Sequence, residues 1–254
     1  MKHLVVGPAA MGIYAFMGAL KKLESQLDEV EEYSGSSAGA ILCTMLACGL
    51  SVDDIIDKCL NLDTGQFVRV SIPMFLSNYG FVDTEPIREK FVELLGSDPT
   101  FEEVKKPLYV AAYCLNTSST VHFSKFTHPK MRVSDAVVMS LSIPFIFATK
   151  DYEGYTYCDG STAVILPDSP FMGKPPSKIT YIRVTCDKRF MPKIKNHTQF
   201  IEAIVRSTFN MREDKTIAGS KTHTIDLGSM NLFDFHMDFE QKVVLFNMGY
   251  DSVR

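Results

Sequence analysis

The 254-residue chain has no C-x-x-C pair, no Pro/Gly/Ser-rich linker, no charge run and no internal repeat. Each absence removes a class of function. Its six cysteines, Cys43, Cys48, Cys59, Cys114, Cys158 and Cys186, lack metal-ligand spacing. They read as buried free thiols of a reducing compartment, and no metal is expected. With no linker or composition shift, residues 1–254 read as one domain. A basic excess is also missing. The net charge is −4, which leaves no footprint for nucleic acid. Residues 4–20 are apolar, but Gly7 and Pro8 break the stretch early and no small-residue cleavage site precedes Lys21-Lys22. The stretch reads as strand, loop and helix, not as a signal peptide or a membrane span. An intracellular, cytoplasmic location is the expectation.

What is present is an alternation of short strands and helices. Strands are predicted at residues 3–6, 30–33, 108–115, 120–124, 179–186 and 222–227. Helices are predicted at 13–23, 40–50, 52–60, 85–95, 133–141, 200–212 and 239–248. Ser51 and Asp54 form a capping-box variant before the third helix. Residues 67–81, apolar with Pro73 inside, read as irregular. The alternation indicates an α/β fold around a largely parallel sheet.

One turn carries chemistry. Gly35-Ser36-Ser37-Ala38-Gly39 fits G-x-S-x-G between a predicted strand and a predicted helix. A nucleophile on such a turn has strained backbone geometry, and small neighbours let the turn close. The N-terminus of the following helix favours the negative charge that develops there. Ser34 and Ser36 compete for the role, but Ser37 alone has glycine at both −2 and +2. One strand and one helix precede the turn, fewer than a Ser-Asp-His α/β-hydrolase places before its elbow. Such a triad would want a late histidine, for which His223 and His236 are available without a recognisable loop context.

Tyr157-Cys158-Asp159-Gly160-Ser161 lies 122 residues after Ser37 (159 − 37). Together these features resemble the patatin-like phospholipase family: a small-residue loop after the first strand, G-x-S-x-G after the second, and Asp-Gly over a hundred residues later. The stretches from Gly80 to Ile87 and from Ser140 to Phe147, Asp159 to Pro167, and the tail Met248-Gly249-Tyr250 resemble further family segments. The resemblance implies a three-layer α/β/α sandwich and a Ser-Asp dyad without histidine. Ser37 would be the nucleophile and Asp159 the proton acceptor, with neither metal nor cofactor. An unperturbed Asp titrates near ~3.9, and partial desolvation would raise it toward a better base. The implied substrates are phospholipids, lysophospholipids or acylglycerols, met by peripheral association with a membrane or lipid interface.

The sequence departs from the family at the oxyanion loop. Where the family has G-G-G-x-R/K-G, this chain has Gly7-Pro8-Ala9-Ala10-Met11-Gly12. Pro8 has no N–H, Ala9 does not easily take the positive φ of glycine, and Met11 replaces a cation. The N–H groups of Ala9, Ala10 and Ala38 remain as the expected hole. A catalytically silent, lipid-binding relative is therefore the alternative, with a triad esterase third. For lipid access, the apolar candidates are residues 68–76, 145–147 and 171–172.

Overall fold

The computed structural model describes residues 1–163, 166–187, 193–196, 199–201, 203–205 and 215–253. β1 (His3–Val6) is buried along its whole length, and a 3-10 turn at Ala10–Gly12 leads into α1 (Ile13–Lys22). A single turn, α2 (Glu24–Leu27), precedes β2 (Glu32–Ser36), and α3 (Ala38–Cys48) starts after one intervening residue. β2 thus runs through Ser34, Gly35 and Ser36, which the sequence suggested were turn. Pairing on both sides keeps them extended: Ser34 and Gly35 lie opposite Val5 and Val6 of β1, and Ser34 and Ser36 opposite Tyr109 and Ala111 of the next strand. α4 (Val52–Cys59) opens on the expected box, with the Asp54 N–H donating to Ser51 Oγ and the Ser51 N–H to Asp54 Oδ2, both at 3.1 Å.

Residues 67–81 are more ordered than expected. A 3-10 turn at Thr64–Phe67 is followed by α5 (Ile72–Asn78) and β3 (Gly80–Val82). Ser71 Oγ caps the Met74 N–H at 3.3 Å. Pro73 falls in the first helical turn, where its missing N–H costs nothing. Phe75 stacks on Phe81 with ring centroids 4.4 Å apart.

The chain continues through α6 (Glu85–Leu95), β4 (Leu108–Cys114), β5 (Ser119–Phe123), α7 (Val133–Leu141), β6 (Phe145–Phe147), β7 (Lys150–Tyr152) and β8 (Tyr155–Asp159). β9 (Ile179–Thr185), β10 (Lys221–Asp226) and α8 (Phe239–Ser252) complete it. The predicted helix at 200–212 falls mostly outside the described residues.

Among the described residues the main sheet has eight strands in the order β10-β9-β1-β2-β4-β8-β7, with β5 also on β4. The pairs β10/β9, β9/β1, β1/β2 and β2/β4 are parallel, and those with β5, β7 and β8 are antiparallel. β3 and β6 form a separate parallel pair. Both faces of the main sheet are covered, which is why its central strands read as unbroken apolar runs. Leu4, Val6 and Ile182 join Phe16, Leu20 and Leu42 in the helical core. Val5 and Tyr181 point the other way, onto Leu166 and Phe171. Each such fully buried side chain contributes about 1.5–3 kcal/mol. α1 and α8 cross closely at Gly18 and Gly249. A Cβ on Gly249 would lie 1.8 Å from the Ala15 carbonyl oxygen.

Candidate active site

Ser37 is the single residue between β2 and α3, with φ 53° and ψ −128°. A non-glycine residue there stores about 1–3 kcal/mol of strain, so its surroundings must hold it. The motif glycines do so by proximity. A Cβ on Gly35 would lie 2.6 Å from the Gly39 carbonyl oxygen, and one on Gly39 would lie 2.3 Å from that of Val6. The Ser37 N–H donates to Ser140 Oγ at 2.8 Å, and the Ser37 carbonyl accepts from the Ala40 N–H at 2.9 Å. Ser37 is 3 % exposed.

Asp159 is the last residue of β8, and the strand register brings it to this turn. β5 pairs with Val110 to Cys114 of β4. The remaining edge of β4 is therefore shared by two strands. β2 takes Leu108 to Ala111, and β8 takes Ala112 to Cys114 in the opposite direction. The strands meet head-on, Ser36 opposite Ala111 and Asp159 opposite Ala112. The ends are so close that a Cβ on Gly160 would lie 2.8 Å from Ser36 Oγ and 2.1 Å from the Ala111 carbonyl oxygen. The Asp159 carboxylate is fully buried, and its Oδ1 accepts from the N–H and the hydroxyl of Ser161, at 2.8 and 2.5 Å. The Asp159 N–H donates to the Ser142 carbonyl at 2.9 Å.

The third component is the loop after β1. The positive φ falls on Ala10 (46°), not on Ala9, whose φ is −153° and ψ −8°. The expected difficulty at Ala9 therefore does not arise: the strain sits one residue later, on a residue with an equally small side chain. The N–H groups of Gly7, Met11 and Gly12 donate to the carbonyls of Ile182, Leu232 and Ala9. Among the described residues, those of Ala9, Ala10 and Ala38 donate to no protein acceptor. Met11, in the place of the family's cation, is buried.

Ala10, Met11, Ser37 and Ala38 line a cavity of about 160 Å³. The rest of its wall is mostly apolar, from Tyr14, Met17, Ile41, Phe67, Val68, Phe91, Leu141, Ile143 and Phe147. Lys90 is its one charged lining residue among those described. Asp159 and Ala9 do not reach the wall. Nor do Ser34, whose hydroxyl donates to the Pro167 carbonyl, and Ser36, which ends β2 beside Gly160. His223 is buried on β10, and His236 packs against Gly65. Neither lines the cavity with Ser37.

A family profile described as Patatin-like phospholipase matches residues 4–167, a span that includes the loop, the turn and the Asp-Gly pair. The chain belongs to the patatin-like phospholipase family. Among curated relatives, the uncharacterized protein R571 of Acanthamoeba polyphaga mimivirus is 25 % identical over 286 residues, covering all of this chain and 93 % of that protein. A second relative, named "Probable lipid hydrolase 463L", from Invertebrate iridescent virus 6, is 24 % identical over 174 residues, 63 % of this chain and 59 % of its own. Among solved structures, VipD from Legionella pneumophila superposes with a TM-score of 0.68 at 14 % identity, over 99 % of this chain. The type III effector ExoU of Pseudomonas aeruginosa does so with 0.54 at 18 %, over 98 %. These two establish the patatin-like α/β fold. The chain spans 65 % of VipD and 51 % of ExoU.

Within this patatin-like site, three serines acquire contacts that the sequence did not reveal. Ser140 and Ser142, at the end of α7, hold the backbones of Ser37 and Asp159 respectively. Ser161, in place of a family glycine or alanine, adds its hydroxyl to the Asp159 carboxylate. The two-residue spacing of Ser140 and Ser142 was the available signal, but it acquires meaning only once α7 is placed under both strand ends. The apolar candidates for lipid access divide. Phe171 and Phe147 are buried, while Phe145 and Met172 are exposed. Among the described residues no helix is long and apolar enough to cross a membrane.

Proposed function

We propose that this patatin-like chain is a lipid acyl hydrolase of the phospholipase A or lysophospholipase type, using Ser37 and Asp159 as a dyad within one domain. The observation that carries this reading is the head-on meeting of β2 and β8 on one edge of β4, which brings the turn of the strained Ser37, a residue that lines an apolar cavity, beside the buried Asp159. Ser37 Oγ attacks the ester carbonyl while its proton passes to Asp159. The carbonyl oxygen becomes an oxyanion beside the N–H groups of Ala10 and Ala38, with Ala9 in reserve. Collapse of this intermediate releases the alcohol or lysolipid, which takes the proton from Asp159. Water then attacks the acyl-Ser37 ester and gives a proton to Asp159. The fatty acid leaves, and the proton returns to Ser37. The acyl chain occupies the apolar cavity throughout.

A panel of phospholipids, lysophospholipids and acylglycerols tests the reading. The expected outcome is fatty-acid release from at least one class, lost in Ser37→Ala and Asp159→Asn and kept in His223→Ala and His236→Ala. Loss only in the histidine variants would replace the dyad with a triad. No release from any class by the folded protein would make it a silent lipid-binding relative.

A further inference from the structure

We propose that the surface formed by Arg69, Val70 and α5 is the face on which this protein docks onto a bilayer containing anionic phospholipid. The inference deepens the hydrolase reading and rests on it for the identity of the partner as lipid. From Thr64 to Val82 the sequence carries one charge, Arg69, in a chain whose net charge is −4. Arg69 is exposed and has no ion-pair partner among the described residues. Its neighbours are unusually bare. Val70 is 74 % exposed, Ile72 66 %, Leu76 76 % and Tyr79 62 %. α5 buries none of its residues. Contiguous exposed apolar surface of this kind marks an interaction site.

The surface is held firmly in this position. At the start of α5 the Ser71 N–H donates to the Phe81 carbonyl at 2.7 Å. At its end the Asn78 carbonyl accepts from the N–H and hydroxyl of Thr149, at 2.9 and 3.0 Å. Half-exposed Phe145 lies opposite Gly80 in the β3/β6 pair and extends the patch. The same segment leads into the site, because Phe67 and Val68 line the cavity that Ser37 also lines. A surface that is apolar, positive where the chain is negative, and continuous with an apolar cavity fits an anionic lipid interface.

Co-sedimentation with phosphatidylcholine vesicles carrying a minority of phosphatidylglycerol tests this, with Ser37→Ala as the parent so that binding is read apart from hydrolysis. The parent should bind, and adding Ile72→Asp with Leu76→Asp should weaken binding about a hundredfold, the loss expected for two desolvated aliphatic side chains. Arg69→Gln should weaken it about fivefold on these vesicles and not on pure phosphatidylcholine. Val244→Asp, an exposed apolar residue on α8, should change nothing. The chain has no tryptophan, so Leu76→Trp gives a unique fluorophore whose emission should shift to the blue on adding vesicles, even if the double variant fails to fold. A parent that does not bind, an unshifted indole emission from the Leu76→Trp variant, or a double variant that keeps its affinity would overturn the proposal, whether or not the wild type hydrolyses lipid. A concentration-dependent dimer that the double variant turns into monomer would also overturn it, because a second copy would then cover this face.

Discussion

Two turns of this molecule invite comparison. One runs from β1 through residues 7–12 to α1, the other from β2 through Ser37 to α3, and they belong to neighbouring parallel strands. Each places one non-glycine residue at positive φ, Ala10 at 46° and Ser37 at 53°. They differ in what surrounds them. At the serine turn, Cβ atoms on Gly35 or Gly39 would collide with backbone. At the loop, a Cβ on Gly7 would approach the Leu166 side chain at 3.2 Å, and one on Gly12 those of Ala9 and Leu227 at 3.1 Å. The ends of the leucine side chains yield, and packed backbone does not. A glycine required by close approach is therefore fixed, whereas one favoured only for its conformation can be replaced at the cost of some strain. The chain keeps both glycines of G-x-S-x-G, and at the two loop positions where the family pattern has glycine, Pro8 and Ala9, neither residue takes a positive φ.

The contrast is broken most directly by moving a methyl group between the turns. Gly39→Ala should destabilise the protein by about 3 kcal/mol or more, the upper range for overpacking. Gly12→Ala should cost nearer 1 kcal/mol, as measured by urea unfolding. Equal losses would remove the distinction. Next in size is Ser140→Ala, which leaves the buried Ser37 N–H without its acceptor. A cost of about 1–3 kcal/mol is expected, with a roughly tenfold fall in kcat, about 1.4 kcal/mol of transition-state stabilisation, at unchanged KM. A stability loss with kcat intact would make Ser140 purely structural.

Ala10→Gly should act in the opposite direction. Relieving the positive φ should stabilise the protein by up to about 1 kcal/mol and leave hydrolysis at least as fast. A destabilised variant would show that Ala10 is not strained. The smallest effect should come from histidine. Burial pushes His122 down from its ordinary 6.5 to about 4, so the unfolded chain binds the extra proton first. Stability due to the neutral ring is complete above pH 6.5 and is lost as pH falls from 6.5 toward 4. The melting temperature should decline over that window and flatten in His122→Asn. Because His122 does not line the cavity with Ser37, kcat should not follow the same titration.

Much of this architecture was legible in the sequence, for local reasons. The apolar runs of β1, β4 and β9 follow from burial on both faces, and G-x-S-x-G announces its own geometry within five residues. That the Ser37 turn would lie beside Asp159 was legible only through family resemblance. The physical basis is the register of β8 on β4, and register is a non-local property. Residues 67–81 misled because α5 exposes its apolar side chains, so the periodicity that marks a helix packed on a core is missing. At the loop, alanine at both positions 9 and 10 gave no sign of which would take the positive φ; in the folded chain it is Ala10, followed by Met11 and Gly12 N–H groups bound to the Leu232 and Ala9 carbonyls.

Labelling with a fluorophosphonate, followed by peptide mapping, tests the central claim most directly. The label reports a serine that is activated and an oxyanion site that accepts the tetrahedral adduct. It should form on the peptide carrying Ser37, vanish in Ser37→Ala, and slow severely in Asp159→Asn. Label on another serine, equal labelling of Asp159→Asn, or no label on the folded wild type would contradict the account.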